Sequence, residues 1–178
     1  MEQLGITFEV VDPGDVDETI SGDPEDAVRR NALSKALKVA RGVGEGLVVS
    51  ADTIVVLDDG ILGKPSSASE AEEMLRTLRG SVHRVLTGLA VVEAGSGRVE
   101  TDVVETRVRM LEFSDEDLEA YVATGESLGK AGGYAIQGLG AVLVEEVRGC
   151  YYNVVGLPLS RLNTLLKEFG VHALDKCP

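Results

Sequence analysis

Apolar residues recur at helical spacing in four segments of the chain, and each segment carries signals for its two ends. In the second, for example, Ser67 and Glu70 have the spacing of a capping box, ahead of an apolar stripe. The sequence therefore predicts four helices, whose starting and ending signals are Asp23-Pro24 and Gly42, Ser67 and Gly80, Ser114 and Gly125, and Pro158 and Gly170.

Runs rich in β-branched residues separate these helices and predict strands. The runs are Ile6 to Val11, Leu47 to Ser50, Ile54 to Leu57, Val82 to Val92, the alternating segment through Val104 and Met110, Ala141 to Val147, and Tyr151 to Val155. Turn residues at 58–60 and 94–97 predict hairpins within this set. Because strands partly alternate with helices, we expect an α/β fold with a mixed, twisted sheet flanked by helices. A length of 178 residues fits a single domain over residues 1–178.

Charge and composition narrow the possible partners. The formal net charge of −13 argues against a nucleic-acid polymer, which is bound through dense Lys and Arg, but allows a small phosphorylated ligand in a locally cationic cleft. No segment approaches the roughly 18 uninterrupted apolar residues of a membrane span, and no signal peptide is evident, so we expect a cytoplasmic protein without membrane contact. Cys150 and Cys177 have no metal-binding or redox spacing and are expected to be unpaired thiols.

Three charged residues occupy positions that are compatible with a catalytic or ligand-binding role. Asp52 lies between two apolar runs, so the predicted strands would hold its carboxylate rigidly, as a catalytic base or a metal ligand requires. An Asp in such a position more often only bonds nearby backbone amides. Lys64, in Gly63-Lys64-Pro65, could reach a phosphate or be a solvated loop residue. Lys35 flanks the apolar stripe of the first helix and could point into a cleft or into water.

A glycine-rich segment from Gly129 to Gly140 predicts a loop that could approach a ligand, or merely a tight structural loop. Gln137 in this loop offers a donor and an acceptor to a base edge. His83 could meet phosphate or be a buried structural residue, and we do not assign it a catalytic role. The sequence contains no Ser-His-Asp order, Walker loop or HExxH helix that would indicate another hydrolase mechanism.

Taken together, several ordered motifs resemble the Maf, or septum-formation, family of nucleotide pyrophosphatases, whose fold is like that of the inosine-triphosphate pyrophosphatases. The motifs are Asp15 to Glu18, Asn31 to Ala36, Ser50 to Thr53, Leu62 to Pro65, His83 to Gly88, Lys130 to Gly140, and Tyr151 to Pro158. The resemblance covers nearly the whole chain.

The resemblance implies a role for each candidate residue. Asp52 would be the general base, Glu18 and Asp52 would lie near a divalent cation, Mg²⁺ or Mn²⁺, and Lys35 and Lys64 would bind the phosphates. Thr53 and Gln137 match the subgroup that resembles dTTP and UTP pyrophosphatases.

We therefore expect hydrolysis of a small-molecule nucleoside triphosphate, dTTP or UTP, to the monophosphate and pyrophosphate. Two alternatives remain open: a pyrophosphatase for modified purine triphosphates, and a nucleotide-binding module with impaired catalysis. The predicted hairpin from Val82 to Met110 offers an edge for a possible homodimer.

The sequence departs from the family pattern at its start. Family members carry a strand and a Ser-x-Ser-Pro-Arg-Arg phosphate-binding segment before the stretch that here begins at Glu2, and this sequence starts at Met1 without them. The expectation is that a strand and an arginine clamp are missing, either because Met1 is an internal methionine of a longer product or because the chain is a short variant.

Overall fold

The computed structural model describes residues 1–176, so Cys177 lies outside the described residues. The helices are α1 (Pro24–Val43), α2 (Ala68–Leu78), α3 (Asp115–Ala123), α4 (Tyr151–Val155) and α5 (Leu159–Glu168). The strands are β1 (Gly46–Leu57), β2 (Gly60–Leu62), β3 (Val82–Ala94), β4 (Val99–Met110) and β5 (Val144–Arg148). Short 3₁₀ turns occur at Glu2–Leu4, Ala131–Gly133, Leu139–Leu143 and Ala173–Lys176.

The four helices with strong end signals are confirmed. The Asp23 carboxylate accepts hydrogen bonds from the first backbone amides of α1, and Ser67 and Ser114 do the same for α2 and α3. These caps satisfy backbone donors that have no partner inside a helix. Local chemistry therefore determines where these helices begin.

The five strands form one sheet in the order β2-β1-β3-β4-β5. The α/β class, with helices flanking a sheet, is confirmed, but the sheet is antiparallel rather than mixed. Tight turns reverse the chain between β1 and β2 and between β3 and β4, where the Gly97 amide donates to the Glu93 carbonyl at 2.9 Å. Val55 lies opposite Leu62, and Val108 lies opposite Val147.

The chain divides into two compact units. Unit 1 comprises residues 1–52, 87–104 and 156 onward, and unit 2 comprises residues 53–86 and 105–155. In unit 1 the residues of β3 alternate between two helices. Leu89 and Val91 pack with α5, whereas Ala90 and Val92 pack with α1. This alternation is the two-residue period of a strand that is covered on both faces.

A glycine lets α1 approach β3 closely. A Cβ atom at Gly88 would overlap the backbone of Val28, one of the buried residues of α1. The helix backbone therefore lies directly on the strand at this point, which determines how α1 is seated in unit 1.

Unit 2 has its own apolar core. Leu75 and Leu78 of α2, Leu118 of α3 and Val108 of β4 are completely buried in it. Tyr134 and Ile136, from the glycine-rich loop, belong to the same cluster. The loop is thus anchored by buried side chains on one side of Gln137.

Two predicted strands are wrong. The segment from Ile6 to Val11 forms neither strand nor helix, and Val10 is 89% exposed. Tyr151 to Val155 reads as a strand by composition but forms α4. There Asn153 is fully buried, and its amide donates to the Val85 carbonyl at 3.0 Å and to Thr106 Oγ1 at 3.1 Å. These tertiary bonds override the β propensity of the run.

The part of the chain that the structure describes contains no helix with the length and apolar character needed to cross a membrane. Cys150 is a free thiol, as expected.

Candidate active site

Asp52 is the buried centre of a polar cluster in unit 1. It lies in the middle of β1, and only 6% of the residue is exposed. Its Oδ1 pairs with the Lys35 ammonium at 2.6 Å, and its Oδ2 accepts a hydrogen bond from the Asn31 amide at 3.1 Å. Buried carboxylates require such partners, because an unpaired charge is costly in a dry environment. The sheet and α1 together fix both oxygens.

Lys35 joins Asp52 to a second carboxylate. Its Nζ lies 2.8 Å from Glu18 Oε1, and its side chain is only 13% exposed. Burial lowers the pKa of Lys35, but hydrogen bonds and charge from Asp52 and Glu18 outweigh burial and raise the pKa above its usual value. Lys35 therefore stays protonated and holds the two carboxylates together.

Glu18 belongs to a segment without regular structure that α1 holds in place. Arg30 donates to the Ser21 carbonyl at 3.0 Å, and Lys38 donates to the Asp15 carbonyl at 2.6 Å. Between these two, the Asn31 amide donates to the Glu18 carbonyl at 3.2 Å. Side chains along α1 thus fasten the segment and bring the Glu18 carboxylate to Lys35.

The donor set around Lys35 suits a hard divalent cation. Two carboxylates share one ammonium, so the three side chains carry one excess negative charge, and one oxygen of each carboxylate already contacts a positive group. Mg²⁺ typically binds one or two carboxylates and keeps its remaining positions for water and substrate phosphates. Within the described residues, no group of three or more His, Cys, Asp or Glu forms a fuller cation site. Glu18 and Asp52 therefore fit a metal that is completed by its substrate.

The other three predicted residues, Thr53, Lys64 and Gln137, lie in unit 2. Thr53 is half-buried in β1, and Lys64 and Gln137 are exposed. The Gly132 amide donates to the Gly63 carbonyl at 2.9 Å, which joins the turn carrying Lys64 to the glycine-rich loop. The structure therefore brings Glu18, Lys35 and Asp52 together in unit 1 and links the segments of Lys64 and Gln137 in unit 2.

The glycine-rich loop is held by side chains that lie outside the sequence motifs. The Tyr121 hydroxyl accepts from the Ala135 amide at 3.0 Å, and the Glu126 carboxylate accepts from the amides of Leu139 at 3.0 Å and Gly140 at 2.9 Å. Gln137 lies between these tied positions, two residues from Ala135 and two from Leu139. The backbone on both sides of Gln137 is therefore fixed.

His83 is a structural residue. It is 1% exposed, and its Nε2 is 2.8 Å from the Tyr134 hydroxyl. Burial lowers its pKa to about 4, so the imidazole is neutral near pH 7. Arg84, its neighbour, pairs with Glu105 at 3.2 Å.

Asn31 was missed as a site residue. A signal was available, because Asn31 and Lys35 are four residues apart and so share one face of α1. A polar side chain beside the apolar stripe of a helix becomes buried and therefore needs a hydrogen-bond partner. Glu126 carried no comparable signal, since its bonds to the loop span 13 and 14 residues.

Comparison with known proteins gives consistent results. A family model described as "Maf-like protein" matches residues 1–169. A protein of Dictyoglomus turgidum named dTTP/UTP pyrophosphatase is 49% identical over 174 residues, which are 97% of this chain and 90% of that protein. A protein of Pelotomaculum thermopropionicum with the same name is 46% identical over 176 residues, covering 98% of this chain and 92% of the relative. One from Clostridioides difficile, also so named, is 43% identical over 171 residues, covering 95% and 88%.

Proposed function

Because the chain belongs to the Maf family, as its sequence motifs indicated, we propose that it is a nucleoside triphosphate pyrophosphatase that acts on dTTP and UTP. The products are the nucleoside monophosphate and pyrophosphate. The relatives' names support the substrate, and the buried contact of Asp52 with Lys35 and Asn31, with Glu18 on the same ammonium, supports the chemistry.

In the proposed reaction Asp52 is the general base. Its carboxylate takes a proton from a water molecule, and the water oxygen bonds to the α-phosphorus. The bond from the α-phosphorus to the bridging oxygen breaks, and pyrophosphate leaves with the electron pair. Asn31 and Lys35 keep the two carboxylate oxygens in fixed positions, which favours attack because the base needs no reorientation.

Lysine side chains would neutralise the phosphates. An ammonium has three N–H donors, and the bonds from Lys35 to Glu18 and Asp52 use two, so the third can donate to a phosphate oxygen. We assign the same task to Lys64, on the turn that is bonded to the glycine-rich loop. Fixed cations stabilise the charge that grows on a leaving pyrophosphate.

Glu18 and Asp52 would hold the divalent cation, Mg²⁺ or Mn²⁺. When bound, the cation would offset the repulsion between these carboxylates and the substrate phosphates. The excess negative charge of the Glu18, Asp52 and Lys35 cluster supports this assignment.

Recognition of the base is assigned to Thr53 and Gln137. Gln137 is exposed on a fixed backbone, and its amide can donate and accept at once, as the edge of a pyrimidine base requires. Thr53 follows the catalytic residue directly in β1.

A panel of triphosphates, scored by release of pyrophosphate in the presence of Mg²⁺, tests the proposal. We expect the highest kcat/KM with dTTP and UTP. A clear preference for inosine or methylguanosine triphosphate would favour the modified-purine alternative. Binding of dTTP without turnover would indicate the impaired binding module.

A further inference from the structure

The glycine-rich loop of unit 2 is closed onto one carboxylate. Glu126, which is half-buried, accepts one backbone amide on each of its two oxygens, Leu139 on Oε1 and Gly140 on Oε2. These bonds hold the pKa of Glu126 below its usual value, the Gly140 amide contributing most. A carboxylate with two backbone donors is a strong, charge-assisted anchor for a loop.

Tyr121 supports the same anchor from α3. Its hydroxyl accepts from the Ala135 amide at 3.0 Å. The residue is 4% exposed, and burial first, followed by the charge of Glu126, raises its pKa to about 12. The hydroxyl therefore keeps its proton while it accepts from the loop.

Two glycines of the loop pack closely against Glu126 and Tyr121. A Cβ atom at Gly138 would overlap Glu126 Oε1, and one at Gly140 would lie 2.7 Å from the Ala135 carbonyl oxygen and 2.8 Å from the Tyr121 hydroxyl. Real Cβ contacts essentially never come this close. Close packing of the loop thus leaves no room for a side chain at Gly140, and at Gly138, directly after Gln137, a side chain would displace the Glu126 carboxylate.

We propose that Glu126, assisted by Tyr121, is a positioning residue that holds Gln137 in place and thereby sets the selectivity for the base. The inference rests on the proposed role of Gln137 as the base reader. The three residues from Ile136 to Gly138 span the interval between the amide bound by Tyr121 and the first amide bound by Glu126. Within that interval Ile136 is buried and Gln137 is exposed, so the backbone is anchored and the amide side chain is presented.

Hydrogen exchange tests the anchor without reference to activity. In Glu126→Gln the new side chain has one carbonyl oxygen and a donating NH₂ group, so it can accept only one of the two backbone bonds. We expect the Leu139 or Gly140 amide to exchange about tenfold faster, as for the loss of one charge-assisted hydrogen bond. Glu119→Gln, at an exposed position of α3, is the matched control and should leave these amides unchanged. Unchanged protection in Glu126→Gln would overturn the proposal.

Selectivity tests the consequence. The ratio of kcat/KM for dTTP to that for dGTP should fall about tenfold in Glu126→Gln, mainly through the KM for dTTP, as expected for one lost hydrogen-bonded contact to the base. In a Gln137→Ala background, Glu126→Gln should lower the ratio no further, because the two residues act through one contact. An equal further fall in that background would contradict the positioning role.

The outcomes separate this inference from the proposed function. If Gln137→Ala lowers the ratio but Glu126→Gln does not, the positioning role is wrong and the function stands. If the wild-type chain releases no pyrophosphate from any triphosphate, the proposed function fails, and the exchange experiment still decides whether Glu126 holds the loop. Tyr121→Phe is a second variant in case Glu126→Gln does not fold. It should speed exchange at Ala135, and normal exchange there would exclude Tyr121 from the anchor.

Discussion

Asp52 is held on both oxygens by partners from α1, and its buried position in a strand leaves little freedom to move. Asp52→Asn keeps the shape of the side chain but removes its basicity. We expect kcat to fall on the order of 10²-fold or more in a folded variant, as for the loss of a positioned base. Asp26→Asn, at an exposed position of α1, is the control. Turnover of Asp52→Asn near the wild-type rate would refute the assignment of the base.

His83 makes stability depend on pH. Burial lowers its pKa from 6.5 to about 4, so between these values the unfolded chain binds a proton that the folded chain does not. The unfolding free energy is therefore undiminished above pH 6.5 and falls as the pH drops toward 4, by about 3 kcal/mol for a shift of this size.

Urea unfolding at a series of pH values checks this prediction. In His83→Gln the unfolding free energy should depend less steeply on pH between pH 6.5 and 4, by the equivalent of about one proton. The same change at the exposed His172, the other histidine, controls for loss of an imidazole. An unaltered slope in His83→Gln would show that another group titrates there.

Sequence alone could indicate which residue types would carry the chemistry, but not how they bond to one another. Asp52 and Lys35 were predicted as site residues, and the structure joins them directly at 2.6 Å. The bond of Asn31 to the Glu18 carbonyl depends on a segment that has no periodic pattern and is placed only by tertiary contacts. Such contacts leave no local signature in the sequence.

The seating of α1 on β3 controls the position of Asn31 and Lys35, and Gly88 permits it. Gly88→Ala would force a methyl group into the Val28 backbone, which cannot rotate away as a side chain can. We expect a loss of unfolding free energy of about 1–3 kcal/mol, as for overpacked cores, together with reduced turnover because α1 is displaced. Gly42→Ala, near the end of α1 with no atom within 4 Å of the added Cβ, should be neutral or stabilising by up to about 1 kcal/mol. Equal stability of the two variants in urea would contradict the close approach.

Elements with strong end signals were predictable, and short runs without them were not. The caps at Asp23, Ser67 and Ser114 placed three helices correctly because each is a local hydrogen bond. Tyr151 to Val155 has the composition of a strand, but it forms a five-residue helix around the buried Asn153. A run this short gains too little from its own propensity to resist its surroundings.

The whole chain carries a net charge of −13, so a triphosphate approaches an unfavourable average field. The cluster of Glu18, Lys35 and Asp52 is itself negative by one charge. We therefore expect cations to accompany substrate binding, and the proposed metal would link the affinity for the nucleotide to the affinity for the cation.

This linkage predicts that dTTP and Mg²⁺ stabilise the chain together far more than either does alone. At a free dTTP concentration a hundredfold above its Kd, bound ligand adds about 2.7 kcal/mol to the unfolding free energy, which is a rise in Tm of roughly 5–10 °C for a chain of this size. Without Mg²⁺ the same dTTP should raise Tm only slightly, and excess chelator should abolish turnover. Glu18→Gln removes one proposed ligand and should shift the Mg²⁺ dependence of both readouts to higher concentration, whereas Glu119→Gln removes the same charge from an exposed position of α3 and should not. Full turnover in excess chelator would contradict the need for a cation, and an unshifted Mg²⁺ dependence in Glu18→Gln would remove Glu18 from the metal site.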